Sequence, residues 1–414
     1  MQDFTTADRT HPTRPHSGSV TTEAPHHIST QPEPIPGTRD DPAKPRIGIR
    51  AAWPAIAAYA ALRAVGLLTF WYVAAERHRD AWGLLGKFDA DWYAGIATRG
   101  YDLAIPLKAD GTLATTNLAF FPLYPAVTAV FDPVLPGDAR TAGIIVAWLA
   151  GLAAAWGLYA VGAQLRDRRT GVLLAALWAI IPHALVESMG YTETLFTALS
   201  AWSLFALLRR SWLTAGLLCA LAGLTRPTGA ALAAAIGVAA LLAVIRRKDG
   251  WRPWLAGILA PLGFLGYIAW VGHRLGRADG YFHVQNDAWK MGYDDGSYTV
   301  RQAITLVTGK PSLAYVMGTF AIVAAIVLVV ALSKHKQAWP LTIYSLAIIA
   351  MAFFGDSYYH SKGRLLIPAF PLLLPIAAAL GSTNRRTLAA VLTLLTAVST
   401  AYGVYVLLFW TYSP

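Results

Sequence analysis

Charged residues are scarce in this 414-residue chain, and acidic residues are the scarcest of them. Asp and Glu number 23 against 34 Lys and Arg, and charged residues together make up 14% of the sequence while apolar residues make up 56%. The mean hydropathy of +0.45 is also far from that of a soluble globular domain. These values exclude an ordinary soluble fold and predict an all-α polytopic membrane protein.

Cysteine is almost absent, since Cys219 is the only one and lies in an apolar segment. A single cysteine excludes a disulfide framework and a cysteine-based metal cluster. No loop carries a clear set of divalent-metal ligands either. We therefore predict no cofactor and assign no metal ligand, while a divalent-metal requirement is left open.

Apolar periodicity is missing from the first fifty residues, where Pro, His, Thr, Ser and charged residues alternate. Such a segment cannot bury enough surface to order itself. We predict a disordered cytoplasmic tail at 1–50 and a transmembrane domain at 51–414.

Apolar runs long enough to cross a membrane recur through the rest of the chain. A helix needs about 20 apolar residues to span a hydrocarbon core of roughly 30 Å. Segment 117–136 is short and broken by four prolines, so we expect it to be re-entrant or to lie at the interface. We predict about eleven crossing helices, near residues 53–74, 139–165, 171–187, 190–209, 211–225, 227–245, 253–272, 313–333, 338–354, 364–381 and 386–410.

Clusters of Lys and Arg predict the orientation, because cytoplasmic loops carry the excess of positive charge. With eleven crossings, all five clusters fall on the side of the basic tail, which places the N-terminus in the cytoplasm and the C-terminus outside the cell membrane. The net charge of +11 then reflects topology and contact with anionic membrane lipids, with no nucleic-acid partner. The clusters are Arg166/Arg168/Arg169, Arg209/Arg210, Arg246/Arg247/Lys248, Lys334/Lys336 and Arg385/Arg386.

The same topology places the remaining polar residues on the external face, in a first loop at 75–136 with short interfacial helices, a second loop at 273–312, and several turns. Ionisable groups near membrane level cost about 2.5–3.5 kcal/mol each by insertion scales and are usually functional. Their convergence on one side predicts a single extracytoplasmic site. The residues are Asp89, Asp91, Glu187, Glu193, Arg226 and the run 356–364, which contains His360, Lys362 and Arg364.

Two carboxylates lie in the first loop, within the stretch 87–93. Asp91 directly precedes a predicted helical stretch, so it is either a helix N-cap or a catalytic group. Asp89 has no such capping role and lies among aromatic residues, where partial desolvation would raise its basicity. We predict Asp89 as a catalytic base. Its neighbours Trp92 and Tyr93 are interfacial anchors, sugar-stacking platforms, or both.

Four short motifs follow one another along the chain. They are Phe-Asp-Ala-Asp-Trp-Tyr at 88–93 with Ala-Phe-Phe-Pro-Leu-Tyr-Pro at 119–125, Tyr-Thr-Glu-Thr-Leu-Phe at 191–196, Arg-Pro-Thr-Gly at 226–229, and Gly-Arg-Leu-Leu-Ile-Pro-Ala-Phe-Pro at 363–371. In this order they resemble the PIG-V type mannosyltransferases, which act as the second mannosyltransferase of GPI-anchor synthesis, and their bacterial relatives. The resemblance covers about 55–380, with Phe88 in place of a more usual Trp and Pro227 directly after the arginine.

This resemblance implies the GT-C glycosyltransferase architecture, whose members take a sugar from a polyprenyl-phosphate donor on the external leaflet. In that family an Asp of the first external loop is the base, and the motif carries this role onto Asp89. The implied activity is that of an inverting mannosyltransferase. It would move mannose from polyprenyl-phosphate mannose to an extracytoplasmic glycan or glycolipid acceptor.

Such a reaction needs cations for the leaving phosphate as well as a base for the acceptor hydroxyl. Arg226 and Arg364 are the first phosphate candidates because a guanidinium offers planar bidentate donors. Lys362 and His360 would supplement them. Anchoring at a helix end is the structural alternative for Lys362 and Arg364, and an exposed turn is the alternative for Arg226.

Glu187, Tyr191 and Glu193 surround a predicted external turn and are assigned to substrate binding. The two glutamates either orient an acceptor sugar or pair with Arg226 in a structural ion pair. Glu193 or Asp91 would also favour an oxocarbenium-like transition state. The 273–312 loop mixes aromatic and charged residues, which suggests a lid or an acceptor-binding element.

Two other functions remain open at this point. A transporter or lipid flippase of similar helix count would place ionisable residues near mid-membrane and contain internal repeats, whereas the polar residues here are predicted at one rim. A GT-C enzyme with another sugar or a protein acceptor is not separated from the first interpretation by these motifs.

Overall fold

The structure, a computed structural model, describes residues 47–104, 106–309, 312–334 and 338–414. The predicted disordered tail lies outside these ranges except for its last four residues. Lys336, one of the basic-cluster residues, lies outside them as well.

Helices make up the architecture of the described ranges, where extended pairing is limited to two isolated bridges, Leu107 with Leu113 and Tyr293 with Gly355. Long apolar segments adopt helices in lipid because each helix satisfies its own backbone groups. The α-helices are α1 (Ile49–Glu76), α2 (Ala81–Leu85), α3 (Asp89–Arg99), α4 (Leu123–Phe131), α5 (Ala139–Leu165), α6 (Arg168–Trp178), α7 (Glu193–Leu208), α8 (Trp212–Gly223), α9 (Gly229–Ile245), α10 (Arg252–Leu259), α11 (Leu262–Leu275), α12 (Gly280–His283), α13 (Ser297–Thr308), α14 (Leu313–Ser333), α15 (Trp339–Phe354), α16 (Lys362–Leu365), α17 (Leu374–Gly381) and α18 (Arg385–Leu408).

Five segments of the described chain are long and apolar enough to cross a membrane, namely α1, α5, the α10–α11 pair, α14 and α18. A bent pair, Tyr359–Leu365 with Phe370–Gly381, would make a sixth. The helices α7, α8, α9 and α15 are apolar but shorter, at 10–17 residues. The chain is a multi-pass, all-α membrane protein, as predicted. The number of eleven crossings stays a prediction.

The predicted crossing at 171–187 is not one continuous helix. Helix α6 ends at Trp178 after 11 residues, which is about 16 Å of helix and roughly half a membrane core. Residues 179–192 are irregular apart from the 3-10 turn Ala184–Ser188. Pro182 lies in this break, where its missing N–H and fixed φ prevent the helix from continuing.

Side chains from two other helices satisfy the backbone that this break exposes. Arg63, in the middle of α1, donates to the Ala179 carbonyl at 3.3 Å. Ser399 of α18 donates to the Ile181 carbonyl at 2.7 Å. Non-helical backbone at membrane depth is tolerated where protein groups bond to it in this way.

The predicted crossing at 364–381 is not one straight helix either. Its two halves, Tyr359–Leu365 and Phe370–Gly381, meet at an angle of 76°. Pro368 and Pro371 lie at the bend, and a proline inside a helix removes a backbone hydrogen bond and clashes with the preceding turn. The bend places α16 beside the loops instead of inside a continuous span.

The predicted first loop at 75–136 folds into α2, α3 and α4 with the turns that join them. Helix α4 is nine residues long, too short to cross a bilayer. This length agrees with the expectation that 117–136 does not cross. Its depth in the membrane, like the proposed domain boundaries, stays a prediction.

Helices α5 and α6 pack closely because glycine faces glycine. A Cβ atom on Gly162 would lie 2.7 Å from the Cα atom of Gly171. Small residues at such contacts let two membrane helices approach each other.

The two ends of the bundle can be told apart by contacts of their charged groups. The ends of α1 and α18 meet where the Arg77 guanidinium lies 5.0 Å from the centre of the Phe409 ring, and we call this the loop end. Arg169 donates to the Thr383 carbonyl at 3.1 Å at the opposite end, which we call the basic end. Because α5 runs from one end to the other, the two ends lie on opposite sides of any membrane that it crosses.

Candidate functional site

The site begins at a strained residue. Phe88 precedes α3 with φ +61° and ψ −117°. Positive φ in a bulky residue is a genuine outlier that costs about 1–3 kcal/mol and persists where the surroundings impose it. Asp89 is therefore the first residue of α3, held at a helix N-terminus where negative charge is favoured.

Four charged side chains from four segments form a chain of ion pairs, Asp89–Arg364–Glu193–Arg226. Arg364 donates through Nη2 to Asp89 and through Nε to Oε1 of Glu193 at 2.6 Å. The same Oε1 lies 2.9 Å from Nη1 of Arg226. We call these four residues the ionic cluster. Its two carboxylates balance its two guanidinium groups.

The four side chains of the ionic cluster differ in exposure, from a fully buried member to a partly exposed one. The Glu193 side chain is 0% exposed and that of Arg226 is 7% exposed, whereas Arg364 is 12% and Asp89 is 23% exposed. Paired charges tolerate burial because each offsets the desolvation of its partner. Asp89 is the member of the cluster that incoming molecules reach most easily.

Two further contacts fix Arg364. Its guanidinium carbon lies 4.3 Å from the centre of the Tyr191 ring, a favourable cation–π distance. Its neighbour Gly363 packs against the His183 ring so closely that a Cβ atom at position 363 would overlap it. His183 in turn lies 3.2 Å from the hydroxyl of Tyr402 through Nε2. The sequence motif around position 364 therefore contains a glycine that the fold needs.

Asp91 lies outside the ionic cluster, although it is only two residues from Asp89. It pairs with Arg140 at 2.6 Å, and the two side chains are 43% and 55% exposed. The N-cap interpretation of Asp91 is wrong because α3 begins at Asp89. An exposed pair of this kind contributes at most about 1 kcal/mol.

Glu187 does not pair with Arg226, since Glu193 takes that place. It is buried in the 3-10 turn Ala184–Ser188. Its electrostatic partners are Arg63 and Tyr59 of α1. Arg63 was not singled out from the sequence, although a lone arginine inside the first apolar run is a signal for a buried polar contact.

Lys362 is occupied by the protein. Its ammonium donates to Thr299 Oγ1 at 2.6 Å and to the carbonyls of Ala352 and Gly355 at 2.7 and 2.6 Å. An ammonium has three N–H donors, so these contacts use all of them. The predicted phosphate contact of Lys362 is thereby corrected to a link between α13 and the end of α15.

His360 is surrounded by aromatic rings and does not belong to the ionic cluster. Its ring centre is 5.5 Å from that of Trp410 and 5.7 Å from that of Tyr412. His360 is buried, with 8% of the residue exposed. His360 lies four residues before Arg364 in the sequence, and the backbone between them connects it to the ionic cluster.

Trp92 and Tyr93 belong to an aromatic wall beside Asp89. Trp92 stacks on Phe120 with ring centres 5.7 Å apart and meets Trp289 edge-on at 5.3 Å. Tyr93 is buried between Phe120 and Tyr124, at 5.1 and 5.0 Å. Trp92 is half-buried, so it is the more available of the two for stacking.

The second loop reaches this wall. Within 273–312, α11 continues to Leu275 and is followed by α12, a π-helical turn and α13. Trp289 donates through Nε1 to the Thr116 carbonyl at 3.0 Å, which joins the second loop to the first. The backbone carbonyl of Trp289 accepts from the Tyr358 hydroxyl at 3.2 Å. The lid or acceptor-binding role of this loop stays a prediction.

Tyr358 is a second strained residue at the site, with φ +45°. Burial, together with the negative charge of Asp89, raises the pKa of Tyr358. Strain on both sides of Asp89 is typical of functional sites. Among the described residues no group of three or more His, Cys, Asp or Glu side chains is placed to hold a metal ion, so the structure names no candidate ligands for one.

Comparisons with known proteins agree with this architecture. Residues 121–270, just over a third of the chain, match the family described as dolichyl-phosphate-mannose-protein mannosyltransferase. The crystal structure of ArnT from Cupriavidus metallidurans bound to undecaprenyl phosphate matches with a TM-score of 0.50 and 15% identity, over 80% of this chain and 61% of ArnT. The chain has a GT-C glycosyltransferase fold.

The crystal structure of the oligosaccharyltransferase of Archaeoglobus fulgidus in complex with Zn and sulfate is 14% identical over 76% of this chain and 47% of that one, with a TM-score of 0.45. No curated protein matches the chain. The chain spans about three-fifths of the ArnT length. The more specific PIG-V resemblance stays a prediction, and the matched region contains Glu193 and Arg226 but not Asp89 or Arg364.

Proposed function

We propose that this protein is an inverting glycosyltransferase that takes its sugar, mannose, from a polyprenyl-phosphate donor and transfers it to an extracytoplasmic glycan or glycolipid. The observation that carries the proposal is the Asp89–Arg364 pair at the exposed edge of the ionic cluster. A base next to a guanidinium is what displacement of a phosphate by a hydroxyl requires. The GT-C fold and the undecaprenyl phosphate bound to ArnT support a polyprenyl-phosphate donor.

The proposed chemistry is a single displacement at the anomeric carbon. The acceptor oxygen forms the new bond, its proton passes to Asp89, and the bond to the phosphate oxygen breaks with its electron pair. Asp89 suits this role because its side chain is 23% exposed while that of Glu193 is 0% exposed. A fully buried carboxylate that two arginines hold is a positioning group and not a base.

Arg364 links the base to the leaving group in this scheme. As Asp89 gains a proton, it loses the charge that held Nη2 of Arg364, while the departing phosphate gains charge. The guanidinium then has a stronger interaction with the phosphate at the moment when the phosphate needs it. Glu193 keeps the guanidinium planes of Arg226 and Arg364 in place throughout.

The test is transfer by the purified protein in nanodiscs, with polyprenyl-phosphate mannose as donor and the product identified by mass spectrometry. Asp89→Asn is expected to lower turnover at least about 100-fold, the usual contribution of a general base. Asp91→Asn is the matched control, because it removes a carboxylate two residues away that pairs with Arg140 and lies outside the ionic cluster. Normal turnover of Asp89→Asn would refute the assignment. Polyprenyl-phosphate glucose in the same assay tests the sugar.

The extracytoplasmic position of the site is part of the proposal. It is supported by the basic end, where Arg169 lies just after the far end of α5 and Arg210 just after the end of α7 that is remote from Glu193. A cysteine placed at Leu103, which is 95% exposed on the loop end, is expected to react with a membrane-impermeant thiol reagent in intact cells. Reaction only after the cells are opened would reverse the orientation.

One observation favours the alternative of a transporter or lipid flippase. Arg63 lies at mid-helix in α1 and interacts with buried Glu187, so some charge is deep in the bundle. However, Arg63 also donates to the Ala179 carbonyl and, at 2.6 Å, to the Ser188 hydroxyl. These two bonds stabilise the non-helical segment after α6, which is a structural role. Lipid movement across proteoliposomes without any sugar transfer would favour the transporter.

A further inference from the structure

The residues after α18, Phe409–Pro414, fold back over the ionic cluster, and we call them the C-terminal strap. The Ser413 hydroxyl accepts from Nη1 of Arg364 at 3.3 Å and lies 3.4 Å from the hydroxyl of Tyr191. The Ser413 carbonyl accepts from the Ser361 hydroxyl at 3.3 Å. Ser413 is thus the third partner of Arg364, beside Asp89 and Glu193.

This third contact is the weakest of the three. The contact of Arg364 Nε with Glu193 measures 2.6 Å and joins two opposite charges, as does the contact with Asp89. The contact with Ser413 measures 3.3 Å and joins a charge to a neutral hydroxyl. A phosphate oxygen would form a shorter contact with the same nitrogen, and that contact would join two opposite charges. Exchange of Ser413 for phosphate is therefore favourable at Nη1.

The aromatic side of the strap leaves two polar atoms without partners. Trp410 and Tyr412 cover His360. Nε2 of His360 and Nε1 of Trp410 are buried and have no hydrogen-bond partner among the described residues. Such atoms are costly to bury unpaired, and lifting the strap would give both of them access to water or to an oxygen of a ligand.

We propose that the C-terminal strap is a lid on the donor site, and that the phosphate of the polyprenyl-phosphate donor displaces Ser413 from Arg364 and lifts it. The inference rests on the proposed function, because it takes Arg364 as a phosphate ligand. It adds a conformational step at a segment that no sequence motif singled out. Donor binding and strap opening are then one event, so the covered state lowers the apparent affinity for the donor.

A spin label on the strap tests the movement directly. Tyr412 is 61% exposed and accepts a label when it is replaced by cysteine, with Cys219→Ala removing the native thiol. Undecaprenyl phosphate is expected to increase the mobility of this label as it saturates the protein. A label at Leu103, exposed on the same end of the bundle, is expected not to respond.

Ser413→Ala tests the contact. Removing one neutral hydrogen bond is expected to tighten the Kd for undecaprenyl phosphate about two- to tenfold and to raise the mobility of the label at 412 before any ligand is added. Ser382→Ala is the matched control, since that hydroxyl bonds within its own turn, to the Ala379 carbonyl at 2.7 Å.

The outcomes separate the two proposals. Saturable binding of undecaprenyl phosphate with an unchanged label, or weaker binding by Ser413→Ala, overturns the lid and leaves the proposed function standing. If neither the wild-type protein nor any variant binds undecaprenyl phosphate, both the donor assignment and the displacement of the strap are overturned. Tighter binding by Ser413→Ala with a mobilised label supports both.

Discussion

Charges at the two ends of the bundle differ in burial and in how far apart their partners lie in the sequence. At the basic end, Arg210 is 61% exposed and lies 3.6 Å from Asp249, a neighbour across one helical hairpin. At the loop end, Arg364 is 12% exposed and bonds to Asp89, which is 275 residues away. Exposed pairs of the first kind contribute little to stability, whereas loss of one partner from a buried pair is strongly destabilising.

This difference indicates that the two ends have different tasks. The exposed cations of the basic end suit contact with anionic headgroups and the setting of orientation. The buried ions of the loop end suit the holding of a fixed charge pattern at a site.

The largest effect is expected from Glu193→Gln. The substitution keeps the shape of the side chain but removes the charge that Arg226 and Arg364 share, which leaves buried cations uncompensated. We expect the free energy of unfolding to fall by about 3–5 kcal/mol, measured as a loss of thermal stability in detergent. Arg210→Gln at the basic end is the control and should cost less than about 1 kcal/mol, because the Arg210 side chain is 61% exposed. Equal losses for both variants would remove the contrast between the ends.

A smaller loss is expected from Gly363→Ala, because the added methyl group overlaps the His183 ring. Overpacking of this kind costs about 1–3 kcal/mol. The cost should be lower when Gly363→Ala is made in a His183→Ala background, and a double-mutant cycle measures the difference. A cost that does not depend on His183 would contradict the packing argument.

Phe88→Gly should lower both stability and turnover. Glycine adopts the positive φ of position 88 without strain, but the half-buried Phe88 ring packs against the hydrophobic core. The burial that is lost exceeds the strain that is relieved, so the free energy of unfolding should fall by about 1–3 kcal/mol. Turnover should fall because the start of α3, and with it Asp89, is less firmly fixed. His78→Gly, at an exposed positive-φ residue after α1, should change stability by less than about 1 kcal/mol and leave turnover unchanged. If both variants lose turnover equally, strain at Phe88 has no special link to the site.

The smallest effect is expected from Asp91→Asn. Its pair with Arg140 is largely exposed, so stability should change by less than about 1 kcal/mol. Turnover in the transfer assay should stay within about threefold of wild type, in keeping with a barrier change of well under 1 kcal/mol. A larger loss of turnover would give Asp91 a part in the chemistry after all.

The sequence predicts that the members of the ionic cluster lie on one side of the membrane, and the reason is physical. Its members are ionisable residues beside apolar runs, where a charge near lipid is stabilised by an oppositely charged partner. They are Asp89, Glu193, Arg226 and Arg364. The same reasoning predicted the all-α membrane class, because apolar length is read directly from the chain.

What sequence reasoning missed depends on tertiary contacts. Hydropathy records that 171–187 is apolar but not that Arg63 and Ser399 satisfy a broken backbone there. It also cannot distinguish Lys362, whose ammonium is used by carbonyls, from Arg364, whose guanidinium faces carboxylates. Ser413 carries no charge and no motif, so only the fold shows that it reaches Arg364.

The 275-residue separation of Asp89 and Arg364 also bears on biogenesis. At a synthesis rate of about 5–20 residues per second, the carboxylate leaves the ribosome roughly 15 to 55 s before its guanidinium partner. During that interval Asp89 is best kept in water or at the headgroup level, because an unpaired charge has no compensation inside lipid. Closure of the nascent helices around the cluster is then a late event in membrane insertion, and a ribosome stalled before codon 364 would hold an open, incompletely packed bundle.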